Sequence, residues 1–157
     1  MVKKFLSLPG MYKLFGRMIG KNKTGFLFDH KPNIKVLDIG CGPGSKTHFF
    51  LDTDYTGIDI SESYIKRAKE LYNGHEHIKF YCMDAGRLLS ELGQEGEYDL
   101  AVMIGLLHHL TDDEADSALS QAARLLKPGG EFRSIDGVYA SNQSRIARWF
   151  LRMDRGA

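Results

Sequence analysis

Apolar residues recur along this chain in two rhythms, and the alternation between them predicts the architecture. Short apolar runs bounded by polar and turn residues mark buried strands. They fall at 35–39, 55–59, 78–82, 98–104 and 131–136. Between them, apolar residues return at helical spacing. Ile65, Ala68 and Leu71 predict a helix over 62–72. Leu88, Leu89 and Leu92 predict a short one ended by Gly93, and Ser45 is placed to cap another through Phe49, Phe50 and Leu51. Thr111 and Glu114 form a capping box that opens a helix with Ala115, Leu119, Ala122, Ala123 and Leu126 inward. Pro128-Gly129-Gly130 is expected to end it. Met11, Leu14, Phe15 and Met18 predict a helix over 11–19, and residues 20–33 read as a polar connection around Phe26-Leu27-Phe28. Ile146, Trp149, Phe150 and Met153 predict a last helix over 144–153, with Arg145, Arg148 and Arg152 on its polar side. Such strand–helix alternation requires right-handed crossovers and gives an α/β fold, a doubly wound parallel sheet with helices on both faces. The fourth strand is apolar almost throughout and so central; the fifth alternates like an edge.

Composition narrows the class. The 157 residues make one domain large enough for a real core, and the net charge of +1 gives no field that would select nucleic acid. Cys41 and Cys82 have no framework spacing, which points to free thiols and a reducing, cytoplasmic setting. Residues 3–9 begin like a signal sequence, but Pro9-Gly10 interrupts them, and no run is long enough for a transmembrane segment.

The candidate chemistry starts where the first strand ends, in Lys35-Val36-Leu37-Asp38-Ile39-Gly40-Cys41-Gly42-Pro43-Gly44. Gly40, Gly42 and Gly44 can take positive φ and let a ligand lie on the backbone, with the Asp38 carboxylate beside them. A GxxxxGK[ST] phosphate loop is absent, and the GxGxxG dinucleotide pattern fails at Ser45. Asp59 follows about 20 positions after Asp38, at the end of the second strand, where its two oxygens suit a ribose diol. The competing role, capping the next helix, is better filled by Ser61. Asp84 stands at the end of the third strand, where a surface turn aspartate is the plain alternative. His108-His109 after the fourth strand invite a metal reading, but adjacent side chains point apart and no Glu-x-x-His supports one, so no metal is expected. One imidazole is expected to pack at the pocket floor, and His109 to serve as proton acceptor.

VLDIGCGPG resembles the first motif of class I S-adenosylmethionine-dependent methyltransferases, and ARLLKPGGEF resembles that family's approach to its fifth strand. The resemblance covers roughly 34–136 and implies a Rossmann-like sheet of strand order 3-2-1-4-5 with S-adenosyl-L-methionine as cofactor. It places Asp38, Gly40, Cys41, Gly42 and Gly44 at the methionine part and Asp59 at the ribose. The adenine would lie between Ile60 and Met83, with Asp84 accepting from its amino group and the Ala85 N–H bonding the ring. Carbonyls at Ile104 and Gly105 would take the ammonium group. The resemblance divides the chain into an N-terminal helical cap (1–33), a cofactor-binding domain (34–136) and a C-terminal amphipathic helix (137–157). Two further strands usual in the family do not follow, which reads as a truncated chain. The implied reaction is methyl transfer by in-line displacement to an acceptor, with a small molecule favoured. The rival is a truncated or non-catalytic S-adenosylmethionine-binding or interaction module; a nicotinamide oxidoreductase is disfavoured by Ser45. With those strands missing, the fifth strand and the C-terminal helix are expected to drive self-association.

Overall fold

The computed structural model describes residues 25–93 and 95–137. The helices expected over 11–19 and 144–153, with Trp149, lie outside the described residues. Five strands, β1 (Lys35–Ile39), β2 (Asp54–Asp59), β3 (Ile78–Cys82), β4 (Tyr98–Ile104) and β5 (Leu126–Ile135), form one parallel sheet in the order β3-β2-β1-β4-β5. That is the order expected, and β3 and β4 keep the predicted bounds.

Both faces of the sheet are covered over β1, β2 and β4, which is why those strands are buried almost throughout. Val36 packs on one face with Phe50, Tyr55, Ile65, Ala68 and Phe80. Leu37 and Ile39 pack on the other with Leu88, Met103, Ala118, Ala122 and Leu125. Helix α1 (Gly25–Phe28) precedes the sheet, α2 (Glu62–Leu71) supplies the first face, and α3 (Leu88–Leu92) and α4 (Asp112–Leu125) supply the second.

Several helix details differ from expectation. In α2 only Ile65 and Ala68 are buried; Leu71 is half exposed, because the helical repeat carries it off the face that Ile65, Ala68 and the following Tyr72 share. In α4 the buried stripe is Ala118, Ala122 and Leu125, and Ala123 is exposed. The helix stops at Leu125, so Leu126 belongs to β5, and Lys127 to Gly130 loop out of the strand with Gly129 at φ +81, the turn expected of Pro128-Gly129-Gly130. This is possible because the β4–β5 register slips: Tyr98 pairs with Leu126, but Leu100 pairs with Glu131. The capping box forms as read, with Thr111 Oγ1 accepting from Glu114 N and the Glu114 side chain accepting from Thr111 N. Gly93 ends α3 at φ +81, as expected.

Ser45 caps nothing. The chain instead makes a four-residue 3-10 turn, Thr47–Phe50, preceded by Lys46 without a side-chain cap. Tertiary contacts hold this turn: Phe50 is fully buried and the Thr47 hydroxyl donates to the Tyr55 hydroxyl (3.0 Å). Within 20–33, α1 replaces the expected irregular connection, with Leu27 fully buried and Phe28 stacked on Phe49 at 4.0 Å. Arg133 of β5 donates to the carbonyls of Phe26 and Asp29 and fastens this segment to the sheet. Gly57, mid-β2, is required for space: a Cβ there would lie 2.9 Å from Phe80 and Tyr55 and 3.0 Å from Cys41.

Candidate active site

The expected site residues collect at the carboxyl ends of β1, β2, β3 and β4, on either side of the point where strand order reverses between β1 and β4. In open α/β sheets a ligand crevice forms there. The turn after β1 has φ +79 at Gly40, +56 at Gly42 and +78 at Gly44, a region that favours glycine. The three glycines do different work. A Cβ on Gly40 would come within 3.2 Å of Leu106, in the loop after β4. A Cβ on Gly44 would meet Tyr72 at 3.0 Å and Ala68 at 3.2 Å, and the Gly44 carbonyl accepts from the Tyr72 hydroxyl (3.0 Å). A Cβ on Gly42 would meet nothing within 4 Å. Two glycines therefore allow close packing, and the third faces open space where a ligand can touch backbone. Cys41 is buried; its side chain belongs to the core, and its thiol donates to the Gly42 carbonyl (3.5 Å) within the turn.

Asp59 fixes that turn. Its Oδ2 accepts from Gly42 N (2.9 Å) and its Oδ1 from Ser61 N (2.8 Å). Burial pushes its carboxyl above the usual carboxylate range, partly opposed by those two N–H groups. Each oxygen keeps a second acceptor position, the pair that a diol needs. Ser61 caps α2 by accepting from Tyr64 N, leaving Asp59 for the crevice. Ile60 stands beside it 73% exposed, an apolar plate at the strand end. Met83 N donates to the Asp59 carbonyl (3.1 Å), joining the exits of β2 and β3. Asp84 then caps a 3-10 turn, Ala85–Arg87, by accepting from Gly86 N (2.6 Å). Gly105 takes φ +70 at the end of β4, directly after Ile104, and its N–H donates to the Ile135 carbonyl (2.8 Å).

Asp38 sits beneath the turn. It is 2% exposed and accepts from the Tyr55 hydroxyl (2.7 Å). Burial pushes its carboxyl up to about 6; the Tyr55 bond opposes this and the Asp59 charge adds to it. The folded value lies above the unfolded one, so this group favours folding most when protonated. That advantage is lost as pH rises through the folded value, and above pH 6 the buried charge costs about 3 kcal/mol. Asp38→Asn keeps an acceptor for Tyr55 without the charge. Its melting temperature should match wild type near pH 4 and exceed it progressively up to pH 7; a constant difference between pH 4 and pH 7 would contradict the assignment.

One constellation was not foreseen. His108 Nδ1 is hydrogen-bonded to Asp136 Oδ1, and Asp136 also accepts from Leu107 N (2.8 Å) and His108 N (3.3 Å). Both side chains are largely buried. Burial raises the Asp136 carboxyl, but the His108 bond and charge and the two N–H groups outweigh it, leaving it below its ordinary value. Asp136 is thus a carboxylate and accepts from the Nδ1–H of His108. His109, the acceptor expected from sequence, lies outward and exposed, its ring 4.0 Å from that of His108. The missed signal was an acid closing β5, the parallel neighbour of the strand that carries the histidines. Ile104 pairs with Ile135, so the two ends must meet.

A family profile described as a methyltransferase domain matches residues 36–130, more than half of the chain. The chain belongs to the class I S-adenosylmethionine-dependent methyltransferase family. A highly reducing polyketide synthase of Emericella nidulans is 36% identical over 119 residues, covering 67% of this methyltransferase chain and 4% of the synthase. Squalene methyltransferase 1 of Botryococcus braunii is 27% identical over 145 residues, 88% of this chain and 38% of that protein. Among solved structures, phosphoethanolamine N-methyltransferase 1 of Haemonchus contortus, in complex with phosphoethanolamine and S-adenosylhomocysteine, superimposes with a TM-score of 0.70 at 25% identity, covering 83% of this chain and 28% of that one. The chain thus spans well under half the length of these relatives. S-adenosyl-L-methionine is the family's cofactor, and the residues gathered here fit it: an open glycine turn, a diol-sized acceptor pair and an exposed apolar plate.

Proposed function

We propose that this methyltransferase domain binds S-adenosyl-L-methionine across the carboxyl ends of β1 to β4 and methylates a small-molecule acceptor on the His108–Asp136 side. The observation that carries the reading is Asp59, whose two oxygens tie the open Gly42 to the start of α2 while keeping an acceptor position each. When bound, S-adenosylmethionine supplies a methyl carbon made electrophilic by its sulfonium. The chain's own work is positioning, which lowers such barriers by roughly 7–11 kcal/mol in favourable cases. Gly40 to Gly44 would take the methionine part, Asp59 the ribose hydroxyls, Ile60 and Met83 the faces of the adenine, and Asp84 with the Ala85 N–H its edge. The Ile104 and Gly105 carbonyls would take the ammonium group, and Asp38 would support the turn from below. His108, held by Asp136, is better arranged than His109 to receive a proton from the acceptor.

The named relatives include a polyketide synthase and a squalene methyltransferase, which favours an apolar carbon skeleton as acceptor. The free thiols Cys41 and Cys82 support a cytoplasmic setting. Among the described residues, no helix is long and apolar enough to cross a membrane. Self-association through β5 is supported by Phe132, 36% exposed on a strand at the end of the described sheet order.

Calorimetric titration tests the reading. The protein should bind S-adenosylhomocysteine and ignore NAD. Gly42→Val should abolish that binding with a loss in melting temperature of only a few degrees, since its side chain enters open space and the strain at positive φ costs about 1–2 kcal/mol. Normal binding by Gly42→Val would remove the turn from the site. Binding of S-adenosylhomocysteine without methyl transfer to any of a panel of carbon, oxygen and nitrogen acceptors would favour the non-catalytic module.

A further inference from the structure

We infer that Gln121 is a positioning residue for the adenine end of the crevice, acting through the turn that carries Asp84 and Ala85; this rests on the adenine reading of that turn. Gln121 projects from α4 and its amide is almost fully engaged. Nε2 donates to the Gly86 carbonyl and to Ser117 Oγ (3.2 Å), while Oε1 accepts from Leu89 N (3.1 Å). Leu89 N is one of the first amides of α3, which have no partner inside their own helix. The residue before α3, Arg87, supplies no side-chain cap, so the Gln121 oxygen fills that role. One side chain thus holds the carbonyl of the 3-10 turn and the start of the following helix together.

The link to the ligand is one residue long. Asp84 is oriented by its bond to Gly86 N, and Gly86 is the residue whose carbonyl Gln121 grips. A side chain on Gly86 would crowd that carboxylate, since a Cβ there would stand 3.0 Å from Asp84 Oδ1. Asp84 and Arg87 are exposed, so the turn has little packing of its own on its outer side. An exposed turn would otherwise sample several orientations of its carboxylate; two hydrogen bonds from a rigid helix restrict it before ligand arrives. Preorganisation of this kind strengthens binding by reducing the ordering cost.

The test compares S-adenosylhomocysteine with S-inosylhomocysteine, in which the base amino group that Asp84 would accept from is absent. Wild type should prefer the adenine ligand roughly tenfold or more, the worth of one hydrogen bond to a charged group. Gln121→Leu should lose that preference, both ligands binding within about twofold of each other, because Asp84 is no longer aimed. Gln121→Glu keeps the acceptor for Leu89 N but loses the donor to Gly86. Gln121 is only partly buried, so the carboxylate can turn from the Gly86 carbonyl toward water; the variant should fold and still lose most of the preference, and it carries the test should the leucine variant unfold. A variant that binds both ligands more weakly by the same factor would show a purely structural role and overturn the inference, as would an unchanged preference. Absence of any preference in wild type would instead remove the adenine reading, and the inference with it.

Discussion

Asp59→Ala is expected to weaken S-adenosylhomocysteine binding about 100-fold to 10,000-fold, the combined loss of two hydrogen bonds to a charged group at roughly 1.5–3 kcal/mol each. Truncation also releases Gly42 N and Ser61 N, so the turn is less well ordered before ligand binds. Ser61 is partly exposed, so water can replace the carboxylate there, and only the buried Gly42 N–H loses its partner. The fold should therefore survive with a melting temperature lowered by only a few degrees. Asp59→Asn retains one acceptor and should fall between the two. Titration calorimetry decides the matter: unchanged affinity in a folded Asp59→Ala protein would refute the ribose assignment.

The second large effect concerns the histidine–carboxylate pair. For an acceptor that must lose a proton, His108→Ala should lower kcat by about 100-fold to 10,000-fold, the usual range for a positioned base. S-adenosylhomocysteine affinity should stay within a few-fold of wild type, because the pair lies across the switch point from Asp59 and Asp84, the proposed ribose and adenine contacts. Asp136→Asn should give a smaller loss, since an amide can still accept from Nδ1 but no longer stabilises a protonated ring. It should also lower stability at neutral pH. The folded carboxyl titrates below its ordinary value, so its contribution is present above the unfolded value and lost as pH falls. Full activity in His108→Ala together with a large loss in His109→Ala would return the base to His109.

The parts of this molecule that were legible in its sequence are those set by local pattern. Buried parallel strands must be apolar on both faces, so β4 could be bounded from its apolar run; β3 buries only Ile78 and Phe80 and was legible from their alternation with exposed residues. The glycine turn and the acid about 20 residues on were legible because their spacing reflects one strand–helix–strand unit. Helix faces were read one residue off where they meet a strand: Ala123 looked inward only while Leu126 was counted as helix. The rest depends on contacts distant in sequence. Nothing near Asp38 announces that Tyr55 will cover it. Asp136 becomes a histidine partner only when β5 lies beside β4, and Gln121 becomes a clamp only when α4 crosses the turn after β3. Gly57 looks like an ordinary strand glycine until Tyr55, Phe80 and Cys41 converge on it.

Amide hydrogen exchange with and without S-adenosylhomocysteine tests most directly that the crevice at the strand ends is the cofactor site. Protection should rise at Gly40 to Gly44, at Ile60 and Ser61, at Ala85 and Gly86, and around Gly105, with no change at the opposite end of the sheet. A groove of about 380 Å³ along the outer side of β3, lined by Lys69, Tyr72, Gly74, His75 and Tyr81, should also be unaffected. Protection confined to that groove, or none at the glycine turn under saturating ligand, would contradict the account.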